Sequence, residues 1–488
     1  MSGWNSKMLP AIALLAMTGC AVGPRYTRPQ AATPPAFKEV PPGWKQAQPS
    51  DQAIRGKWWE IFQDPQLNAL EEKINVSNQT LKASYDQFLQ ARALVRFQRA
   101  DLFPTFDAGA SASRNRLSQN RGQTSFVSRT NYSDLQIPVV TVSYEPDLFG
   151  RIRNTVQGFR SSAQASAGDL ESVSLTLHGD LANNYFQLRT LDAEEQLLNS
   201  TVSAYEKALQ LTENRHTGGV ASAVDVAQAQ TQLENARAQA IDVQVARAQF
   251  EHSIAVLIGE PASTFSLPFA PGNTAPPVIP VGVPSDLLER RPDIAASERR
   301  VSAANAQLGV ARAAYFPVLN LSGSGGLESG NITTLFSGPS AFYSVGANAL
   351  VTAFDVGRRR AITEQSKAAY DQSVANYRQT LLTAFQEVED NLAALRILED
   401  EANRQRLAVD AAEKSLGLSV NRYKGGVTTY LEVTTAQGIA LTDERFAVQI
   451  LARRMAASVQ LIQALGGGWN ASQLPTGNSD SLPRPSGQ

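Results

Sequence analysis

Hydrophobic residues along the chain recur with two different periods, and these periods predict its secondary structure. Between residues 170 and 209, the apolar positions are seven residues apart, or three and four, which is the spacing of a coiled-coil seam. A second seam runs from Val226 to Leu257, beyond the glycine pair Gly218 and Gly219. The pattern therefore predicts two long helices joined by a tight turn, about 95 Å and roughly 60 Å in length at about 1.5 Å per residue.

Ahead of the long helices the period changes to two, which is typical of strands with one apolar and one polar face. The predicted strands are Thr105–Ser113, Leu135–Glu145, Val318–Leu327 and Tyr343–Val351. The second strand changes its apolar face around Pro138. The stretches 114–134 and 328–341, rich in Gly, Ser and Asn, are predicted to be hairpin loops.

The pattern occurs twice, at a fixed offset of about 207 positions. Arg215 to Val220 returns as Arg422 to Val427, and Gly150-Arg151 returns as Gly357-Arg358. We infer an internal duplication in which each copy is a helix, a β-hairpin and two long helices. The predicted parts are a signal peptide (1–19), an N-terminal segment (20–57), a first repeat (58–259, with its β-hairpin at about 105–145 and its helical hairpin at 150–259), a Pro-rich linker (260–292), a second repeat (293–466, with hairpins at about 318–351 and 357–466) and a C-terminal tail (467–488).

The N-terminus resembles a secretory signal that ends at a lipoprotein cleavage site. Lys7 precedes an apolar run, and Thr18-Gly19 precedes Cys20, the single cysteine of the chain. A buried spare thiol is the alternative interpretation, but the position directly after a short apolar run favours a covalent lipid on Cys20. No later stretch reaches the roughly 18 apolar residues of a spanning helix. Any passage through a membrane is therefore expected to use strands.

Composition excludes several functional classes. Lys and Arg total 44 against 45 Asp and Glu, and the formal net charge of -1 gives no electrostatic basis for binding nucleic acid. The three histidines, His178, His216 and His252, lack the spacing of a metal site, and no nucleotide-binding loop or serine nucleophile motif is present. We therefore expect no enzyme activity, no metal and no cofactor besides the lipid.

Four strands per chain cannot close a bacterial barrel, which needs at least about eight. Two chains would supply eight strands and three would supply twelve, and an eight-stranded barrel is filled by its own side chains. A conducting protein should thus be at least a trimer. The alternatives are a soluble coiled-coil protein with a small β-domain and a periplasmic adaptor lipoprotein, although the two length-matched hairpins argue against an adaptor.

Several motifs, taken in order, resemble the TolC-like outer-membrane factors, specifically the OprM type of lipoprotein channel from resistance-nodulation-division multidrug efflux systems. The matching stretches are Trp58-Trp59-x-x-Phe62-x-Asp64-Pro65-x-Leu67, Asp147 to Arg151, Leu287 to Ile294, Ala311 to Pro317 and Ala464 to Trp469. The resemblance covers essentially the whole mature chain. It implies an α+β membrane protein, a homotrimer with a 12-stranded outer-membrane β-barrel, a 12-helix periplasmic α-barrel and an equatorial domain.

The resemblance also assigns roles to residues near the two helix reversals. It implies that Gly218, Gly219, Val220, Gly425, Gly426 and Val427 form the periplasmic tip that meets an adaptor protein. A side chain in place of either glycine pair is expected to strain its turn. The resemblance further implies that Asp225, Glu432 and Tyr423 belong to a gate or selectivity ring. Thr428 stands where TolC has a gate arginine and Gly417 where the OprM type has an aspartate, so the ring is expected to be weaker or to be built differently. Ordinary exposed helix residues are the alternative for both carboxylates.

Taken together, the residues and the resemblance predict the outer-membrane duct of a tripartite efflux pump. The expected partners are the periplasmic adaptor, an inner-membrane resistance-nodulation-division transporter and outer-membrane lipid. The chain would conduct drugs or other small toxic compounds passively, because it carries no nucleotide site. A related TolC-type export system with another cargo is the alternative.

Overall fold

The computed structural model of the chain describes residues 22–30, 33–39, 56–116, 131–272, 275–279, 290–469 and residue 474. Its helices are α1 (Pro65–Ser77), α2 (Gln79–Ala100), α3 (Arg151–Thr217), α4 (Ala223–Leu257), α5 (Pro292–Ala313), α6 (Ile332–Leu335), α7 (Arg358–Lys424) and α8 (Tyr430–Ala464). Its strands are β1 (Thr105–Arg116), β2 (Asn131–Tyr144), β3 (Val318–Ser329) and β4 (Ala341–Leu350). Within these described ranges, no helix has both the length and the apolar character needed to cross a membrane.

The long helices have matching lengths in the two halves of the chain. Helices α3 and α7 each contain 67 residues, and α4 and α8 each contain 35. Helix α7 begins 207 positions after α3, and α8 begins 207 positions after α4. This is the offset between the sequence motifs. The signal peptide, Cys20 and most of the C-terminal tail lie outside the described residues.

Two units make up the fold, and each is described by itself. The first unit includes residues 89–165 and 297–376 and carries the whole sheet. In this sheet the four strands pair in sequence order, β1-β2-β3-β4, and all three pairings are antiparallel. Strand β1 is exposed along its entire length, and β4 is exposed at all but one position. In the described part of the chain, β1 and β4 each have one edge without a strand partner.

A bulge in β2 explains the change of face that the sequence predicts at Pro138. Ile137 pairs with Leu327, whereas Val140 pairs with Gly325, so β2 contains one more residue than β3 between these two pairs. The extra residue returns the later apolar positions of β2 to the face used by the earlier ones. The bulge therefore compensates for the predicted change of apolar face at Pro138, and the sheet keeps one continuous apolar face.

This apolar face is shared by all four strands and is open to solvent in the single chain. It carries Phe106, Val140, Leu321, Tyr343 and Val345, of which Tyr343 is 86% and Val345 82% exposed. The opposite face pairs Asn320 with Asn348 and Ser324 with Ser344. The predicted loop 328–341 also contains the short helix α6, whose Leu335 is buried.

The second unit includes residues 56–88, 166–272 and 377–469, and holds the predicted helical seams. Leu198 packs against Ala240 and Val243, and Tyr205 packs against Leu233 and Ala236, so α3 and α4 run antiparallel. Because small alanines of α4 face the larger side chains of α3, the two helices can approach closely along the seam.

A buried acid-base pair fixes α1 on α3 in this unit. The Glu71 carboxylate lies 2.7 Å from His178 Nδ1, and the indole of Trp59 stacks on the imidazole at a centroid distance of 4.5 Å. Burial raises the pKa of Glu71 well above its usual range and lowers the pKa of His178 to about 4. Burial therefore favours the neutral form of both groups in this contact.

The linker after α4 is held by a second buried network. Asp192 is fully buried and accepts hydrogen bonds from Arg189 Nη1 at 2.7 Å, Arg247 Nε at 2.7 Å and the Ala270 N–H at 3.0 Å. The same two arginines donate to the linker carbonyls of Pro268 and Leu267. One carboxylate thus compensates two guanidinium groups and a backbone donor.

We expect Asp192→Ala to reduce the free energy of unfolding by about 3–5 kcal/mol, because it removes the fully buried carboxylate that Arg189 and Arg247 share and leaves Arg247 with its longer ion pair to Glu251 at 3.5 Å. Thermal unfolding followed by circular dichroism, with limited proteolysis of the linker, measures the effect. Glu234→Ala is the control, since it breaks an exposed pair with Arg237 and should change stability by less than about 1 kcal/mol. Equal stability of the two variants would contradict the prediction.

Candidate functional site at the helix reversals

Each pair of long helices reverses through a glycine turn with the same backbone hydrogen bonds. In the first copy, the Val220 N–H donates to the Arg215 carbonyl and the Gly219 N–H donates to the His216 carbonyl. In the second copy, the Val427 N–H donates to Arg422 and the Gly426 N–H to Tyr423. Both turns are Schellman motifs, which satisfy the last carbonyls of a helix.

Only the second glycine of each predicted pair adopts a left-handed backbone. Gly219 has a φ of 74° and Gly426 a φ of 75°, whereas Gly218 and Gly425 are not in the positive-φ region. The strain predicted for a substituted pair would therefore arise at Gly219 or Gly426, and not at Gly218 or Gly425. A Cβ at those two positions would make only ordinary van der Waals contacts.

The tips expose apolar side chains at equivalent positions of the two copies. Val220 is 66% and Val427 71% exposed, and they are followed one turn later by exposed Val224 and Leu431. These four residues are referred to below as the tip patch. A repeated apolar surface at the end of a helical hairpin is suited to contact with another protein.

The two predicted carboxylates have different surroundings. Asp225 forms a capping box with Ser222, in which its carboxylate accepts the Ser222 N–H at 2.9 Å and its own N–H donates to Ser222 Oγ. Glu432 instead accepts hydrogen bonds from Thr428 and Ser419 and forms an ion pair with Arg422 at 3.3 Å. The Thr428 hydroxyl and then the Arg422 guanidinium hold the pKa of Glu432 below its usual range. No hydrogen bond or ion pair between the described residues joins Asp225 to Glu432.

Tyr423 lies inside the hairpin packing rather than on its surface. Its side chain is 4% exposed and meets Tyr430 edge-on at a centroid distance of 5.3 Å, within a cluster that includes Ala229 and Val433. Its hydroxyl has no hydrogen-bond partner in the described chain. A contribution of Tyr423 to a constriction would therefore require the end of α7 to move. Its role as a gate residue stays a prediction.

An arginine that the sequence reasoning left without a role joins the two copies. The Arg215 guanidinium lies over the Tyr423 ring, 4.8 Å from its centroid, and Arg215 Nη1 donates to the Lys424 carbonyl at 3.1 Å. Its equivalent, Arg422, instead contacts Glu432 in its own hairpin. The repeat motif contains both arginines, but their different partners depend on how the hairpins pack. We call the Arg215 contact the tip latch.

The two sites where the sequence departs from the family pattern can also be placed. Thr428 donates to Glu432, so it takes part in the same cluster as Arg422. Gly417 lies on an exposed face of α7 with open space around the position of a Cβ. The described residues contain no group of His, Cys, Asp and Glu placed to hold a metal ion.

Replacing Gly219 or Gly426 by alanine should destabilise the turn by about 1–2 kcal/mol, because an L-residue is disfavoured in the left-handed region. Gly218→Ala and Gly425→Ala are matched controls with the same change in volume. Hydrogen exchange of peptides spanning residues 212–224 and 419–431 should accelerate only in the first two variants. Equal exchange in all four variants would show that the left-handed glycines do not determine the turn.

Comparison with known proteins supplies a family context for these features. A sequence model described as outer membrane efflux protein matches residues 68–260 and 283–467. The solvent efflux pump outer membrane protein SrpC of Pseudomonas putida is 35% identical over 472 residues, covering 96% of this chain and 99% of the relative. The pyoverdine export outer membrane protein OpmQ of Pseudomonas aeruginosa is 32% identical over 483 residues, covering 98% and 100%.

Solved structures of outer-membrane channels are also similar to this chain. The outer-membrane channel OprN has a TM-score of 0.85 with 29% identity, and the match covers 92% of this chain and 100% of OprN. The open state of the Neisseria gonorrhoeae MtrE outer membrane channel has a TM-score of 0.80 with 25% identity, covering 93% and 99%.

Proposed function

Because the chain belongs to the outer membrane efflux protein family, we propose that it is the exit duct of a tripartite efflux pump and conducts its cargo passively from the periplasm to the exterior. The observation that carries the proposal is the sheet, which combines a continuous apolar face with two unpaired edges in the described part of the chain. Three copies would supply twelve strands and close the edges between chains. The long hairpins of the three copies would then continue the passage as a 12-helix tunnel.

The proposed membrane attachment combines strands with a lipid. Cys20 would carry the acyl chains, and Val22, two residues later, donates its N–H to the Phe149 carbonyl at the beginning of α3. This contact would hold the anchor near the boundary between the sheet and the long helices. Outer-membrane location agrees with the names of the relatives.

The helix reversals are proposed as the regulated end of the duct. The tip latch joins the end of α3 to the end of α7, and Arg422 with Thr428 holds Glu432 against its own hairpin. A periplasmic adaptor that binds the tip patch would open the passage if it made better contacts with separated hairpins. The MtrE relative is known in an open state, which supports such a transition in the family.

Small toxic compounds are the proposed cargo class, and an inner-membrane resistance-nodulation-division transporter is the proposed energy source. Similar proteins are named for solvents and toluene. A second candidate is the export of a secreted metabolite, favoured by the 32% identity to a pyoverdine export protein. Complementation of a strain that lacks its own duct, scored for solvent tolerance and separately for siderophore release, distinguishes the two.

We expect the full chain, purified in detergent, to have the mass of three protomers by native mass spectrometry. Three protomers are expected because closure of the strand edges requires several copies. The assembled protein should also conduct ions when reconstituted in a planar bilayer. A monomer that conducts ions would overturn the trimer.

Mass spectrometry of the N-terminus should find lipid on Cys20, with Cys20→Ser as the control that loses it.

Charge at the entrance should make the open duct prefer cations. In a trimer, Asp225 and Glu432 would place up to six carboxylates around one axis with little screening between them. Asp225→Asn with Glu432→Gln should shift the reversal potential under a salt gradient toward lower cation selectivity. Stability should change little, because the side-chain oxygen of the introduced asparagine could still accept the Ser222 N–H. Glu206→Gln, at an exposed ion pair on α3, is the control. Unchanged selectivity in the double variant would assign both residues to ordinary helix surface.

A further inference from the structure

The loop between β4 and α7 exposes large apolar side chains that nothing in the described chain covers. Phe354 is 82% and Val356 85% exposed, and Leu350 and Val351 at the end of the sheet are more than half exposed. Exposure of this extent on neighbouring large residues is unusual for a surface in contact with water alone.

The exposure is fixed by the fold and does not result from a loose segment. The Asp355 carboxylate accepts the Gly357 N–H at 3.2 Å, the Arg359 N–H at 3.2 Å and Arg359 Nε at 2.6 Å. This cap begins α7, and Phe354 and Val356 lie exposed on either side of the hydrogen-bonded Asp355. Val356 also has a φ of 54°, a conformation that β-branched residues rarely adopt. Asparagine would be less strained at this position, so backbone geometry does not explain why a valine occupies it.

The first copy of the repeat solves the same junction differently. At the offset of 207, Phe149 is the counterpart of Val356. Phe149 stacks on Phe316 at a centroid distance of 4.7 Å, and its carbonyl accepts the Val22 N–H at 2.9 Å. The chain itself thus packs on the first junction, whereas the described residues leave the second one bare.

Arginines follow the apolar pair directly. Arg358 is exposed, and Arg360 is 83% exposed and pairs with the exposed Glu364. On the other side, the apolar face of the sheet ends at the loop, with Tyr343 and Val345 on the same strand. The chain therefore passes from an apolar face, through an aromatic and an aliphatic side chain, to cationic groups. This order matches the passage from lipid chains to headgroups.

We propose that loop 351–357 is an interfacial membrane anchor. Phe354 and Val356 lie among the lipid chains next to the headgroups, and Arg358 and Arg360 contact phosphates of phospholipid in the leaflet that faces the long helices. The inference rests on the proposed function, because it takes the sheet as embedded in a membrane. A second copy of the chain is the competing occupant, and the experiment below separates the two.

Spin labels on the full chain in phospholipid vesicles measure the depth of the loop. Labels at Phe354→Cys, Tyr343→Cys and Val427→Cys are compared for collision with oxygen and with a water-soluble nickel chelate. The unsubstituted chain measures the background labelling, which should be low because the proposed lipid blocks the thiol of Cys20, the single native cysteine. We expect the label at 343 to be accessible to oxygen, the label at 427 to nickel, and the label at 354 to have the intermediate depth of the headgroup boundary.

Other accessibilities of the labels would contradict either the membrane anchor or the proposed function. A label at 354 that behaves like the one at 427, or one that is shielded from both reagents by protein, overturns the anchor. A label at 343 that is accessible to nickel overturns the proposed function itself, because the sheet would then lie in water.

Two sets of variants test the side chains. Val356→Asn should leave thermal stability in detergent unchanged or higher, since asparagine tolerates the left-handed backbone, yet insert into vesicles several-fold less efficiently. Arg358→Gln with Arg360→Gln should abolish the preference for vesicles containing phosphatidylglycerol over phosphatidylcholine alone. Arg453→Gln, on an exposed face of α8, should retain that preference. Insertion and lipid preference equal to the parent in both sets would overturn the proposal.

Discussion

In the described part of the chain, the outer edges of β1 and β4 have no strand partner, and the proposed architecture depends on this constraint. A long exposed edge strand is a template for pairing in water, and inside a bilayer each unpaired N–H and C=O costs several kcal/mol. Pairing between copies removes both problems. It is useful for a membrane protein only if the outer face stays apolar, and the bulge in β2 keeps Leu135 and Ile137 on the same face as Val142. The sheet of one chain thus has a continuous apolar face, and its edges would be paired only between copies of the chain.

The proposed shared passage would also constrain the helices. Hairpins from two copies of a repeat can end at one level only if their lengths agree, and α3 with α4 has the same residue counts as α7 with α8. The reversals use the same Schellman geometry, with a left-handed glycine at the equivalent position. Backbone geometry is therefore repeated closely between the two halves of the chain.

The sequence was sufficient to predict the elements whose signals are local. Periodicity located the long helices and the four strands, and the glycine pairs located the reversals, although φ preferences alone could not say which glycine of a pair is left-handed. Contacts between distant segments carried no local signal. Glu71 meets His178 from 107 positions away, and Arg215 crosses to Lys424 in the other copy. The surroundings of Asp225 and Glu432 differ through nearer partners, because Ser222 forms a capping box with Asp225 whereas Thr428, Ser419 and Arg422 contact Glu432.

The proposed assembly would account for the differences between the two halves of the chain. In it, two halves that alternate around one axis would share backbone geometry but meet different neighbours, so their side chains would be free to diverge. At the reversals, Arg215 contacts the other hairpin whereas Arg422 stays within its own. At the strand-to-helix junctions, Phe149 is packed by the chain whereas Val356 is left bare by the described residues. In the proposed assembly, positions at which the two halves of the chain differ are therefore the ones to test first for contacts with a partner, a lipid or a moving element.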